Sequence, residues 1–249
     1  MTAINNLTIK IFADGANKSD MLTLYENPYI KGFTTNPTLM HKAGITDYQR
    51  FARDILKEIT DKPISFEVFS DDFKEMKYQA LKISEWGNNV YVKIPVSNTQ
   101  GKPSYDLIHE LAQAHVKQNV TALMTLKQTR YVSEALGNIV PACISIFAGR
   151  IADTGRDPLP PMAEAVILLK KYPAQELIWA SPRELLNIFQ AEKIGCHIIT
   201  VTKDILSKLK LVNKSLDEYS LETVKMFYDD AVKANFMLEL STHDNLINV

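Results

Sequence analysis

The sequence is poor in several features that would assign a protein to a class at once. It has only two cysteines in 249 residues, a formal net charge of −1, and no apolar run longer than the five residues at 165–169. The isolated Cys143 and Cys196 exclude a disulfide framework and a cysteine-rich zinc site. Both lie in apolar segments, as small buried residues do.

The balanced charge argues against a nucleic acid or a membrane surface as a partner. The longest apolar run is also far below the ~20 residues that a membrane-spanning helix needs. Residues 1–11 lack the basic start and apolar stretch of a secretory signal peptide. We therefore expect a cytoplasmic protein, whose thiols stay reduced, that binds neither nucleic acid nor membranes.

What the sequence does have is a regular alternation of short apolar segments with segments of helical period. Eight segments rich in Val, Ile, Phe and Tyr are typical of strands, and they are 7–14, 32–36, 64–69, 89–96, 119–124, 142–149, 176–181 and 196–202. Between them, apolar residues recur on one helix face, as at Tyr48, Phe51 and Ile55. Strands that alternate with helices indicate a parallel sheet, and eight such units favour a closed barrel over an open sheet.

The predicted fold is therefore α/β, a (β/α)8 TIM barrel with an additional C-terminal helix. An amphipathic pattern predicts that helix over 216–234, and Asp71 and Asp72 are expected to open the helix after the third strand. We expect residues 1–235 to form a single domain and the polar residues 236–249 to form a flexible tail. The extra helix would pack either on its own barrel or on a second copy, so a homo-oligomer is one of the expected arrangements.

Polar residues at the ends of otherwise apolar strands are the informative exception in this pattern. Seven of the eight strands carry them, and they are Asp14, Thr35, Asn36, Glu67, Lys93, Asn119, Thr121, Ser145, Arg150, Ser181 and Arg183. A buried charge is costly unless it is paired. In an α/β barrel the carboxyl ends of the strands converge on one mouth, which is the usual place of an active site.

Lys93 is the central residue of this set. Because side chains alternate along a strand, Lys93 shares a face with Tyr91, while Val92 and Ile94 share the other face. Apolar walls inside a barrel would lower the pKa of the lysine, and a neutral lysine is a nucleophile toward carbonyl groups. The alternative is a structural ion pair of Lys93 with Glu67 or Asp14. Strand spacing alone does not choose between the two.

The other polar residues also have simpler explanations. Asp14 precedes Gly15 and suits a turn, and Asn36 precedes Pro37, a pair that often starts a turn or a helix. The two arginines suit surface salt bridges. They equally suit a phosphate clamp, since both follow late strands and lie close to serine residues.

Taken together, these local sequences resemble the transaldolases and the related small fructose-6-phosphate aldolases. Seven segments carry the resemblance in family order, and they are 11–16 (IFADGA), 32–38 (GFTTNPT), 65–68 (SFEV), 91–95 (YVKIP), 119–121 (NVT), 145–153 (SIFAGRIAD) and 180–183 (ASPR). Each segment alone is weak, but all seven fall in order on the predicted strands. The family fold is a (β/α)8 barrel, in agreement with the strand count.

The resemblance implies four catalytic residues, with no metal ion and no cofactor. Lys93 would form a Schiff base with the C2 carbonyl of a ketose phosphate. Asp14 would take the proton of the C4 hydroxyl, so that the C3–C4 bond breaks. Glu67 and Thr121, with a water molecule, would move protons while the carbinolamine loses water.

The resemblance also implies a set of substrate-binding residues for phosphorylated sugars. These are Thr35, Asn36, Asn119, Ser145, Phe147, Arg150, Ser181 and Arg183. Within this set, the two asparagines would hold the dihydroxyacetone hydroxyls and the Schiff base. The two arginines and Ser181 would bind the phosphate.

Two positions separate the subgroups of the family. The small aldolases usually carry Gln in place of Glu67 and Tyr in place of Phe147. We therefore predict a transaldolase, which transfers a dihydroxyacetone unit from a ketose phosphate to an aldose phosphate. A free aldolase and a non-catalytic phosphosugar-binding barrel are the alternatives. Gly15 and Ile146 depart from the family pattern, and the loop 154–161, which does not match it, leaves the identity of the acceptor and donor sugars open.

Overall fold

The computed structural model describes residues 6–238, and its sheet is a closed barrel of eight parallel strands in sequence order. The strands β1 to β8 are Lys10–Asp14, Ile30–Thr34, Ile64–Glu67, Val90–Pro95, Gln118–Leu123, Ala142–Ile146, Gln175–Trp179 and Ile198–Thr202. The predicted number, order and barrel closure are confirmed. Several predicted strands extend too far toward their carboxyl ends, because the polar residues there belong to loops and helix caps.

Eleven α-helices lie within the described residues. The helices α1 to α11 are Lys18–Tyr25, Pro37–Lys42, Tyr48–Leu56, Phe73–Ser84, Tyr105–Gln113, Leu126–Leu136, Ala148–Asp153, Leu159–Leu169, Leu186–Lys193, Lys203–Leu206 and Leu216–Lys233. A 3₁₀ helix, Ser207–Leu211, lies between the last two. The predicted C-terminal helix is confirmed to within one residue, since Ala234 is the C-cap of α11.

Of the two aspartates predicted to open the helix after β3, only one caps it. The carboxylate of Asp72 accepts hydrogen bonds from the backbone N–H groups of Lys74 and Glu75 and so caps α4. Asp71 instead accepts two hydrogen bonds from Thr99, one from its backbone and one from its hydroxyl. Asp71 therefore fixes the loop after β4 rather than the helix after β3.

Two separate apolar cores hold the barrel. The larger one lies between the strands and the surrounding helices and contains the outward residues Val92 and Ile94, both fully buried. The smaller one fills the barrel interior and consists of Phe12, Cys143, Ile178, Ala180 and Ile198, with Tyr91 and Phe147 against it. The predicted alternation on β4 is thus correct, and the interior below the mouth is packed with side chains.

Gly32 makes room for this interior core. A Cβ atom added to Gly32 would lie 2.5 Å from Cζ of Phe12, closer than real Cβ contacts come. The aromatic ring therefore lies against the bare backbone of β2. It closes the floor beneath the polar residues of β1 and β2.

The chain divides into two compact units, one that ends at Lys210 and one that starts at Leu211. The first contains the barrel, and the second contains α11, whose N-cap Ser215 accepts a hydrogen bond from Glu218 N–H. The single domain over 1–235 stays a prediction. Most of the predicted tail, from residue 239 on, lies outside the described residues. Across residues 6–238, no helix combines the length and apolarity needed to cross a membrane.

Candidate active site

A cavity of about 360 Å³ opens at the carboxyl ends of the strands. Nine of the twelve site residues predicted from the sequence line it, and they are Asp14, Asn36, Glu67, Lys93, Thr121, Ser145, Phe147, Arg150 and Ser181. The three that lie outside its lining are Thr35, Asn119 and Arg183. The volume is in the range of small-molecule sites, and the mouth of the barrel is where such sites form.

Lys93 and Glu67 form a buried ion pair at the centre of this cavity. The strand register pairs the two residues directly, so that both side chains enter the barrel at the same level. Their Nζ and Oε2 atoms are 3.1 Å apart, and Lys93 is only 6% exposed. The ammonium group also donates a hydrogen bond of 2.9 Å to the backbone carbonyl of Thr35. The ion pair that the sequence left as the alternative is therefore present, and apolar walls alone do not surround the amine.

Asp14 lines the same cavity and has no ion-pair partner within 4 Å among the described residues. Burial raises the pKa of its carboxyl group above the usual value, and the nearby Lys93 opposes that effect only in part. The hydroxyl of Thr34 donates a hydrogen bond of 2.7 Å to Oδ1. A carboxyl group whose proton affinity is raised in a cavity suits proton exchange with a ligand.

Thr121 carries a buried hydroxyl with no hydrogen-bond partner among the described residues. It lines the cavity and is only 2% exposed. The next residue, Ala122, has φ of +66°, a backbone conformation that favours glycine. This strain coincides with a register shift between β5 and β6, between Val120 and Leu123. A buried, unpaired hydroxyl that faces a cavity is a site for a water molecule or a ligand group.

Asn119 supports the cavity from below rather than lining it. It is fully buried, its Nδ2 donates to the hydroxyl of Ser65 at 3.0 Å, and its Oδ1 accepts from the hydroxyl of Ser145 at 2.7 Å. The three side chains form one hydrogen-bonded row across β3, β5 and β6. The row fixes the orientation of the Ser145 hydroxyl at the cavity wall.

Thr35 and Asn36 differ in how they meet the cavity. The hydroxyl of Thr35 donates to the backbone carbonyl of Ser65, so its side chain secures β2 to β3. Oδ1 of Asn36 accepts a hydrogen bond from Leu39 N–H and is the N-cap of α2, with Pro37 in the first turn. Asn36 therefore starts a helix, as its place before Pro37 suggested, and it also lines the cavity, while its expected contact with a substrate stays a prediction.

Arg150 is the free cation of the cavity. It has no carboxylate within 4 Å among the described residues, and its guanidinium lies 5.4 Å from the ring centroid of Phe147. The aromatic ring orients the guanidinium without neutralising it. An anionic group in the cavity would therefore meet a guanidinium that forms no close ion pair within the described residues, although its charge contributes to lowering the pKa of Asp153.

Arg183 is held outside the cavity by Asp153. Its Nε donates to Asp153 at 2.8 Å, a second guanidinium N–H donates to the same carboxylate, and Nη1 donates to the hydroxyl of Ser181 at 2.8 Å. This pairing lowers the pKa of Asp153 and raises that of Arg183. Ser181 adopts φ of +59°, and its carbonyl lies against the bare Cα of Gly149. Arg183 thus fixes Ser181 and is largely neutralised by its own chain.

Sequence reasoning missed several residues of the site. Thr34, Thr200 and Leu39 line the cavity, and Ser65 and Asp153 support it from outside. Thr200 is detectable in the sequence, because it is a polar residue at an inward position of β8, the one strand whose polar residues were passed over. Asp153 ends the motif segment 145–153, but the sequence does not indicate that its partner is Arg183, 30 residues away in the loop after β7.

Comparison with known proteins agrees with this geometry. The profile of the family described as Transaldolase/Fructose-6-phosphate aldolase matches residues 11–239. The chain belongs to the transaldolase/fructose-6-phosphate aldolase family. Relatives named "Probable transaldolase" include one from Dehalococcoides mccartyi, 32% identical over 81% of this chain and 90% of its own length. Another, from Thermoanaerobacter sp. strain X514, is 32% identical over 87% of this chain and 95% of its own length.

Solved structures support the fold of this family member. A protein assigned to the dihydrodipicolinate synthase family from Coccidioides immitis aligns with a TM-score of 0.60 over 92% of this chain and 78% of its own chain. Its sequence identity is 10%, so the likeness concerns the barrel alone. Family membership points to an enzyme of the aldolase and transaldolase type. Each of the seven motif segments of this chain contributes a residue to the lining of one cavity.

Proposed function

We propose that this protein is a transaldolase, which transfers a dihydroxyacetone unit from a ketose phosphate to an aldose phosphate through a Schiff base on Lys93. The observation that carries the proposal is the buried Lys93 amine, 3.1 Å from the Glu67 carboxylate in a cavity that Asp14 also lines. A protein that only bound sugars would have no need of a buried nucleophile between two carboxyl groups.

The first step requires an uncharged amine. The proton of Lys93 passes to Glu67, which is within hydrogen-bonding reach, and the amine attacks the C2 carbonyl of the ketose. The resulting carbinolamine loses its hydroxyl as water and becomes an iminium ion. Glu67 supplies the proton for that water, and the unpaired hydroxyl of Thr121, which lines the same cavity, would hold it.

The carbon–carbon bond then breaks. Asp14 takes the proton of the C4 hydroxyl, the C3–C4 bond opens, and its electron pair neutralises the iminium to give an enamine. The raised pKa of Asp14 supports this role, because the carboxyl group holds the proton and returns it in the reverse direction. The shortened aldose leaves, and the enamine adds to the carbonyl carbon of an incoming aldose while Asp14 protonates the new alkoxide. Water then adds to the resulting iminium, and its hydrolysis releases the lengthened ketose and the Lys93 amine.

Transfer requires that the enamine survives until the acceptor arrives. Phe147 lines the cavity, and its side chain brings no hydroxyl that could direct water to the enamine. The floor beneath is the apolar interior core, with Phe12 and Ile178 among its members. These features favour transfer over hydrolysis of the intermediate, which is the reaction of a free aldolase.

The phosphate of either sugar would bind to Arg150, with the hydroxyl of Ser181 as a second donor. Arg183 would act through Ser181, because its own guanidinium is already paired with Asp153. This assignment changes the clamp expected from the sequence, in which both arginines would bind the phosphate directly.

Borohydride trapping tests the proposal. The protein is incubated with fructose 6-phosphate, reduced, digested and analysed by mass spectrometry, and we expect the adduct on the peptide that contains Lys93. Lys93→Ala should reduce turnover by several orders of magnitude, because covalent catalysis is lost. An unmodified Lys93 peptide, or full activity in Lys93→Ala, would contradict the proposal.

A second measurement separates transferase from aldolase. Fructose 6-phosphate is supplied with and without an aldose phosphate acceptor. We expect turnover only with the acceptor. Free dihydroxyacetone formed at the same rate without an acceptor would instead identify an aldolase. Phe147→Tyr is the matched variant, because it adds the hydroxyl that the small aldolases carry at this position.

A further inference from the structure

The inner faces of β1, β2 and β8 carry a chain of side-chain hydroxyls that ends on Asp14. The hydroxyl of Thr34 contacts Oδ1 of Asp14 at 2.7 Å and also contacts the hydroxyl of Thr200. Thr34 and Thr200 are 2% and 6% exposed, and both line the cavity. No other hydrogen bond to the Asp14 carboxyl group occurs within residues 6–238.

The direction of this chain follows from counting hydrogens. Thr34 has one hydroxyl hydrogen, and an ionised Asp14 can only accept, so Thr34 donates to Asp14. The contact between the two threonine hydroxyls is then satisfied only if Thr200 donates to Thr34. The order Thr200 to Thr34 to Asp14 is therefore the arrangement that pairs all three groups.

The barrel itself sets the three residues together. The register pairs Asp14 with Thr34 on one side of β1, and Phe12 with Thr200 on the other side. Thr200 is thus one inward position below Asp14, within reach of the hydroxyl of Thr34. Phe12, the residue paired with Thr200, is itself buried in the interior core, and its ring packs against Gly32, two residues before Thr34.

We infer that Thr200 is a positioning residue, which acts through Thr34 to hold Asp14 with one carboxyl oxygen bound and the other free toward the substrate. The inference rests on the proposed function, because it concerns the proton that Asp14 exchanges with the C4 hydroxyl. A carboxylate hydrogen-bonded through Oδ1 cannot rotate freely. Its Oδ2 is then presented to the cavity in one orientation throughout the reaction.

The matched variants are Thr200→Val, which keeps the shape and removes the hydroxyl, and Thr200→Ser, which keeps the hydroxyl. Thr129→Val is the control, because Thr129 is also fully buried and its hydroxyl also has a partner, Thr125 O at 3.1 Å, on the distant helix α6. All three should fold, and thermal unfolding checks that they do.

We expect Thr200→Val to lower kcat for transfer about tenfold, as the loss of one orienting hydrogen bond does, with KM changed less than about twofold. Thr200→Ser should recover most of the loss, and Thr129→Val should match the wild type. The acid limb of the kcat/KM profile should move to higher pH in Thr200→Val. The reason is that the hydrogen bond from Thr34 lowers the pKa of Asp14, and this bond weakens when Thr200 no longer orients Thr34. The other charged groups that act on Asp14 are Lys93 and Glu67.

Two results would overturn the inference. One is wild-type kcat and an unmoved acid limb in Thr200→Val, and the other is an equal loss in Thr200→Ser, which would assign the effect to packing. Borohydride trapping at Lys93 should be normal in every variant, because Schiff-base formation does not need Asp14. A wild-type protein that forms no adduct would refute the proposed function, whereas normal trapping with unchanged turnover in Thr200→Val would refute the hydroxyl chain alone.

Discussion

Gly149 packs against Ser181, which lines the cavity, and the consequence of exchanging Gly149 for alanine can be worked out from distances. The added Cβ would lie 1.6 Å from the carbonyl oxygen of Ser181 and 2.7 Å from its carbonyl carbon. Real Cβ atoms do not come closer than 3.0 Å to other heavy atoms, so the two segments must separate by about 1.4 Å more. The obstacle is backbone, so no change of rotamer relieves the clash.

That displacement acts directly on the group that we expect to bind phosphate. Ser181 is already held at φ of +59°, and its carbonyl accepts a hydrogen bond of 3.1 Å from Nη1 of Arg183. A misplacement of about 1 Å in a substrate-positioning group costs up to about 100-fold in rate. Overpacking of this kind also costs about 1–3 kcal/mol of stability. We therefore expect kcat/KM for a phosphorylated donor to fall about 100-fold in Gly149→Ala.

The assay compares fructose 6-phosphate with unphosphorylated fructose as donors, and follows trapping of Lys93 with each. The loss should be confined largely to the phosphorylated donor. Gly15→Ala is the matched control, because Gly15 follows Asp14 at the same mouth and a Cβ there has no heavy atom within 4 Å. Activity of Gly149→Ala within about threefold of Gly15→Ala would refute the reasoning that Gly149 positions Ser181.

Three further outcomes are expected. Asp14→Asn should abolish transfer yet raise the thermal unfolding midpoint at pH 7. Burial raises the pKa of Asp14, so wild-type stability falls as pH rises from 3.8 toward that raised value, whereas the amide does not titrate. Equal midpoints of the two proteins at pH 7 would contradict this. Arg150→Gln should raise KM for phosphorylated sugars more than Arg183→Gln, since only the second arginine is already neutralised by a carboxylate; the opposite ranking in steady-state assays would refute the assignment. Tyr48→Phe should lower the free energy of unfolding by about 1 kcal/mol in urea titration, because it removes the hydrogen bond of 2.8 Å to the Glu67 carbonyl, and an unchanged midpoint would show that the bond contributes nothing.

Much of the fold follows from the sequence for a simple reason. The alternation of β4 sends Val92 and Ile94 outward and Lys93 inward, and the same two-residue period turns Asp14 of β1 and Ser145 of β6 inward. A charged residue flanked by apolar residues in such a strand must face the interior of a barrel whose outside is covered by helices. Five of the nine predicted residues that line the cavity lie in strands and face it for this reason, namely Asp14, Glu67, Lys93, Thr121 and Ser145.

The period fails where the strands end, and predictions there are less accurate. β2 ends at Thr34, so Thr35 and Asn36 lie beyond the regular alternation. One side chain turns to the backbone of Ser65, and the other caps a helix and meets the cavity. The positions of these two side chains depend on which backbone groups lack a hydrogen-bond partner at the strand end. The periodicity of apolar residues gives no information about those groups.

By itself, the sequence determined the eight strands, their inward polar residues and the motif order that marks the family, because these depend on local periodicity and residue type. Only the tertiary structure decided which polar groups meet. The ion pair of Lys93 with Glu67, the capture of Arg183 by Asp153 and the hydroxyl chain from Thr200 to Asp14 all join separate strands or loops. Such contacts depend on strand register and on closure of the barrel, where differences of an ångström decide whether two groups form a hydrogen bond.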